Sequence, residues 1–284
     1  MLDGRPLVDV HLHPAHRRGL KLPWDVWVQD FDVPHVAALY DADGAVRPDA
    51  FDALLAAEGV DVAVVLSEYS PKVTGWQTVE EMLPLASDRV RFAANVNPHL
   101  HYPLADELVR QLDLGAVALK IHPVHGGFPA NDRALYAAYA ICQERGVPVV
   151  VHCGTSTFPG AQNRFGDPIL LDEVLRDFPQ LDVVLAHGGR GWWYDAAAFL
   201  ALTNEHVWIE LSGLPPSRLQ TYYARHNWSR LTHKMIFGTD WPGIPGIARN
   251  ARAVAALLPD DETTDLVLWR NAAEVYHLKV PEER

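Results

Sequence analysis

Pro6-Leu-Val-Asp-Val-His-Leu-His13 is the stretch on which the fold turns. A short apolar run gives way to two imidazoles two positions apart. Side chains on a strand alternate faces, so His11 and His13 point to the same side. The run is near-continuous Val and Leu, the pattern of a strand buried on both faces. Seven more such runs follow, at residues 60–66, 90–96, 116–121, 147–151, 183–186, 206–211 and 235–237. Amphipathic segments lie between them. Residues 48–58 open on Pro48 and stop at Gly59, a start-and-stop pair for a helix. Residues 131–145 have helical spacing and close on Gly146, and residues 167–178 stop before Pro179. Eight strands alternating with helices predict a single (β/α)8 barrel over residues 1–284, rather than an open sheet.

The length agrees, because α/β barrels commonly run to about 250 residues as one domain. The exceptional segment is residues 14–47, long, poorly periodic and rich in Trp, Asp and His. It reads as a loop insertion after the first strand, covering the barrel mouth. The formal net charge of −12 excludes a broad basic face for nucleic acid or for an anionic membrane. No run approaches the roughly 18 apolar residues of a membrane span, and no basic-then-apolar leader opens the chain. The two cysteines, Cys142 and Cys153, make no disulfide framework, so a cytoplasmic, reducing home is expected. Cys142 belongs to a helix core. Alternation from His152 turns Cys153 toward the helix layer.

In a parallel barrel the chemistry sits where strands end. His11 and His13 follow the first run, Glu68 the second, and Lys120-Ile-His122 closes the fourth. His152 ends the fifth, His187 the sixth, and Gly238-Thr-Asp240 the eighth. A lone histidine after a strand is usually a satisfied core or loop residue. Several converging on one ring are not, because imidazoles and carboxylates buried without partners are costly. A divalent cation neutralises the acids and uses the imidazole lone pairs, and mixed His and carboxylate donors suit Zn, Fe or Mn. Thr155-Ser156-Thr157 offers hydroxyls, but no base is evident beyond the ring histidines, which disfavours serine chemistry.

Five motifs in order carry a family resemblance: Val10-His-Leu-His13, Leu119-Lys-Ile-His-Pro123, Val151-His-Cys-Gly-Thr155, Ala186-His-Gly-Gly189 and Phe237-Gly-Thr-Asp-Trp-Pro242. With Asn271-Ala-Ala273 as the closing helix, the chain resembles the amidohydrolase superfamily. Within it, the chain is similar to the branch of aminocarboxymuconate semialdehyde decarboxylase. That resemblance implies a (β/α)8 barrel and a primary metal held by His11, His13, His152 and Asp240. His187 is implied as acid/base group or as ligand of a second ion. A bridge between two ions would come from a metal-binding Glu68 or from carbamylated Lys120. Glu68 is favoured, which leaves Lys120 and His122 for substrate.

The expected chemistry is hydrolysis of an acyl bond (ester, lactone, amide or thioester such as an acyl-CoA), with Asp240 and His187 as catalytic groups and two divalent ions. A likeness to barrel-type thioesterases points the same way. The alternative is non-oxidative decarboxylation of an aromatic or unsaturated acid, with Arg17, Arg18 or Arg47 holding carboxylates. A third reading is a metal-containing binding protein without activity. The expected partners are a small-molecule substrate and, by base rate, a second copy of the chain.

Overall fold

The structure, a computed structural model, describes residues 1–21, 36–244 and 246–281. Eight strands form one sheet in chain order: Val8–Leu12, Val62–Leu66, Val90–Asn95, Ala118–Ile121, Val149–Gly154, Val183–Arg190, Val207–Glu210 and Met235–Ile236. Every neighbouring pair is parallel. The last strand returns to the first. Val10 N–H donates to the Phe237 carbonyl at 3.4 Å, Asp240 N–H to His11 at 2.9 Å, and His13 N–H to Trp241 at 2.8 Å. These bonds also fix His11, His13 and Asp240 side by side.

The near-continuous apolar runs are explained by two core layers. Val8, Val10, Val64, Val150, Val184 and Ile236 fill the barrel interior. Ala63, Val65, Leu119, Val151, Leu185 and Ile209 face the helices. Each of these Val, Leu and Ile side chains, fully buried, contributes about 1.5–3 kcal/mol. Cys142 and Cys153 are free thiols in the outer layer, Cys142 on its helix and Cys153 turned there by alternation from His152. The floor of the barrel is closed by Asn271–Val275, whose Ala272 and Val275 join the inner layer with Tyr276 and Leu278. Asn271 anchors this plug, its Nδ2 donating to the Met235 carbonyl at 2.8 Å.

The predicted helices form, with local corrections. Pro48–Ala57 starts on its proline and is followed by Gly59 at φ 73°. The 131–145 segment begins as a 3-10 turn, Arg133–Leu135, and becomes helical over Tyr136–Arg145, with Gly146 in the left-handed cap. In 167–178 the Asp167 carboxylate caps Ile169 N–H, giving a 3-10 turn at Pro168–Leu171 before Asp172–Asp177. After the second strand the chain adds a hairpin, Glu68–Ser70 with Gly75–Gln77. The N-terminal flank of the 14–47 segment rests on it, with Lys21 N–H bonded to the Thr74 carbonyl at 2.9 Å. The middle of that segment, with Trp24 and Trp27 on which a cover of the mouth was expected, lies outside the described residues.

Candidate metal centre

Simple alternation does not bring every expected side chain to the mouth. Lys120 and His152 share a phase with Ala118 and Val150 of the inner layer. His11 is out of phase with Val8 and Val10, and a register shift between Asp9 and Leu12 re-aims it. His187 is out of phase with Val184 and Ala186, and it sits at φ 63°. Asp240 sits at φ 68°. Non-glycine residues held in the left-handed region cost of order 1–3 kcal/mol and gather at functional sites. Here the strain turns two candidate ligands toward one point.

Around that point His11 Nε2 lies 3.2 Å from His13 Nε2, and both lie 3.4 Å from Asp240 Oδ1. The His187 ring centroid is 4.9 Å from that of His11. Behind His11 stands Glu210, wholly buried at the end of the seventh strand, with Oε2 at 2.6 Å from His11 Nδ1. Glu210 also accepts from Ser212 N–H at 2.6 Å and from Ser212 Oγ at 2.9 Å. Burial, and Lys120 after it, lower the His11 pKa, so the ring is neutral. Its Nδ1–H donates to Glu210, and Nε2 is left as a lone pair facing the centre. His187 Nδ1 lies 3.0 Å from the Ser212 carbonyl, to which it can only donate, so Nε2 again keeps the lone pair. Burial, then Arg190, hold His187 well below its ordinary pKa. Burial opposes ionisation of Asp240, yet His187, His13 and His11 hold its carboxyl well below the usual range. Its side chain keeps 18% of its surface exposed.

Lone pairs converging on a half-buried anion are the donor set of a metal. His152 sharpens the test: both of its ring nitrogens are buried with no hydrogen-bond partner among the described residues, and its centroid is 4.6 Å from that of His187. An imidazole with two orphaned nitrogens is destabilising unless one is a ligand. His11, His187 and Asp240 present ligand atoms within 4.8 Å of one another. The residues fit a divalent ion. They line one cavity of about 320 Å³ with His13, Lys120, His122 and Arg190.

Across the cavity lies a second polar cluster. Glu68 Oε1 accepts from Thr74 Oγ1 at 2.6 Å and lies 2.8 Å from His125 Nδ1. Burial works against its charge, but His122 and His125 beside it hold the Glu68 carboxyl well below the usual range. Glu68, His122 and His125 also have ligand atoms within 4.8 Å of one another, a grouping separate from His11, His187 and Asp240. His122 Nδ1, however, accepts His125 N–H at 3.1 Å, which leaves the proton on Nε2. Its ring stacks on His125 at 3.6 Å and on His152 at 3.9 Å. Lys120 Nζ is buried without a hydrogen-bond partner among the described residues. The expected mouth arginines are engaged elsewhere: Arg18 with Asp43 at 2.5 Å, Arg17 over the Tyr40 ring, and Arg47 on the Ala38 carbonyl. The guanidinium that does line the cavity is that of Arg190.

Residues 8–278 match the amidohydrolase family. The chain belongs to that family. A dihydroorotase of Leptothrix cholodnii is 38% identical over 113 residues, which are 36% of this chain and 31% of that protein. The match thus spans about a third of the relative's length. An uncharacterised barrel protein of Bordetella bronchiseptica superimposes with a TM-score of 0.77 at 19% identity, covering 96% of this chain and 99% of that one. A dihydroxybenzoic acid decarboxylase of a Polaromonas species, solved with bound manganese, gives 0.70 at 15%, covering 96% and 97%. A probable 2-pyrone-4,6-dicarboxylic acid hydrolase of Acinetobacter baumannii gives 0.64 at 19%, covering 95% and 99%. At these identities the solved structures speak for the barrel alone.

Several residues of this amidohydrolase site escape a reading of strand ends. Glu210 closes the 206–211 run, and an acid closing a buried strand is itself a signal of a partner. Asp9 lies within the first strand and accepts from Thr239 Oγ1 at 2.6 Å and from His11 N–H at 3.1 Å, joining the first and eighth strands. Burial pushes its carboxyl up to about 7. The expectation that Ser156 lacks a base is overturned, because His125 Nε2 lies 2.8 Å from Ser156 Oγ.

Proposed function

We propose that this amidohydrolase is a metal-dependent hydrolase of an acyl bond in a small molecule, built on one divalent ion. The observation that carries the reading is the partly exposed Asp240 carboxyl set 3.4 Å from both His11 and His13. His11, His13, His152 and Asp240 would hold the ion, which supplies Lewis acidity, polarising the acyl carbonyl and lowering the pKa of water toward neutrality. Asp240 takes the proton of the attacking water and returns it to the leaving group. His187 is kept in one tautomer by Ser212 and presents a lone pair to the reacting centre. Lys120 and Arg190, cations lining the same cavity, face the charge that develops on the acyl oxygen. Glu210 orients His11 and raises its basicity, as carboxylates behind metal-bound histidines do.

The second cluster being bonded within itself supports a reading with one ion rather than the two expected from the sequence. Glu68 is committed to Thr74 and His125, and Lys120 stands apart. Thioesters, esters, lactones and amides remain the substrate classes. Decarboxylation is the competing outcome, since Lys120 and Arg190 suit a carboxylate too. The test is purified protein loaded with Zn, Fe or Mn, assayed against acyl-CoA thioesters, lactones and aryl esters. Turnover of at least one class, abolished by chelation, is the expected result. CO2 release from an aromatic acid with no acyl hydrolysis overturns it.

A further inference from the structure

The second cluster has the order of groups that activates a hydroxyl. Glu68 Oε1 lies 2.8 Å from His125 Nδ1, and His125 Nε2 lies 2.8 Å from Ser156 Oγ. All three residues are buried and all three line the cavity that holds the candidate metal ligands. The directions of the bonds agree. An ionised Glu68 only accepts, so Nδ1 carries the proton and Nε2 is the acceptor. Ser156 Oγ receives Phe158 N–H at 3.3 Å, which leaves its own proton to point at His125.

The surroundings hold this arrangement in place. Thr74 fixes the Glu68 carboxylate at 2.6 Å. The His125 ring is clamped by stacking on His122, with an interplanar angle of 10°. Ser156 is tied at both ends of its peptide to Asn163: its N–H donates to Oδ1 at 2.8 Å, and its carbonyl accepts from Nδ2 at 3.1 Å. A carboxylate, an imidazole and a hydroxyl linked through opposite ring nitrogens form an acid–base–nucleophile relay wherever they occur, whatever the fold.

We propose that Ser156 is a nucleophile activated by His125 and oriented through Glu68, and that the enzyme passes an acyl group through Ser156. This rests on the acyl-hydrolase reading above and adds a covalent step to it. Ser156 Oγ bonds to the acyl carbon as its proton passes to His125 Nε2. His125 returns that proton to the leaving group as the bond to it breaks. Water then adds to the acyl carbon, giving its proton to Asp240 as in that reading. The Ser156 ester bond breaks, and Oγ, the leaving group of this step, regains that proton. The sum is acyl compound plus water to acid plus leaving group. His122 and Lys120 beside the relay offer an N–H and an ammonium to the oxyanion.

The test is covalent and independent of turnover. The whole folded protein, metal-loaded and chelator-treated, is exposed to a small alkyl fluorophosphonate and to p-nitrophenyl acetate, and adducts are located by peptide mass spectrometry. One adduct on Ser156 is expected with or without metal. It should be absent in Ser156→Ala and form about 100-fold or more slowly in His125→Gln, both variants keeping the wild-type circular dichroism. The proposal stands if either reagent marks Ser156 in a His125-dependent way, even when no substrate is hydrolysed, in which case only the hydrolase reading fails. It falls if neither reagent marks Ser156, or if marking is unchanged in His125→Gln, even while metal-loaded protein hydrolyses esters.

Discussion

The two sides of the barrel mouth are built from similar residues and behave differently. On one side His11 and His13 bring their Nε2 atoms to within 3.4 Å of Asp240, with His187 beside them, backed by Glu210 and Ser212. On the other, Glu68, His125 and Ser156 spend their polar atoms on one another and on Thr74. His and carboxylate alone do not make a metal site. What distinguishes the first side is the set of outer bonds, which occupy Nδ1 of His11 and His187 and so free Nε2. In the second cluster the backbone bond at His122 does the reverse.

The largest effect that tests this contrast is the double change His11→Ala, His13→Ala. It should take bound metal from one ion per chain to none by elemental analysis and lower turnover by at least about 10³-fold. Retained metal would break the contrast outright. Asp240→Asn should keep the fold and lose about 10²–10⁴-fold in kcat, read by steady-state kinetics. Glu210→Gln should weaken metal binding by about 10–100-fold in a competitive chelator titration, with Glu68→Gln leaving that affinity unchanged. Gly238→Ala should cost about 1–3 kcal/mol in denaturant unfolding, because a Cβ there would stand 2.3 Å from Glu210 Oε1. The smallest effect concerns Lys120. Burial lowers its pKa. The unfolded chain therefore binds a proton that the folded chain has released, and this group makes stability rise with pH in the window below its ordinary value. Lys120→Met should flatten that rise in urea melts taken over the alkaline range just below that value.

The barrel was legible because it rests on local information. Eight apolar runs and their helix caps are written in consecutive residues, and the strand-end rule then nominates His11, His13, His152, His187 and Asp240. Phase was not legible. His187 reaches the centre through a left-handed backbone and His11 through a register shift, and neither has a mark in a one-dimensional pattern. The second cluster was harder still, because His125 meets Glu68 across 57 positions and Ser156 across 31. Residues that far apart, on a hairpin, a helical turn and a loop, are joined by the barrel, not by any spacing. Glu210 is different: its position at the close of a buried run was visible, and its need for a partner was the missing step.

The most direct test is anomalous diffraction from crystals of metal-loaded protein, collected at the absorption edge of the metal. One peak is predicted, bonded to the Nε2 atoms of His11 and His13 and to Asp240 at about 2.0–2.2 Å, with none among Glu68, His122 and His125. A peak on Glu68 and His125, or none beside His11 and His13, would contradict the account.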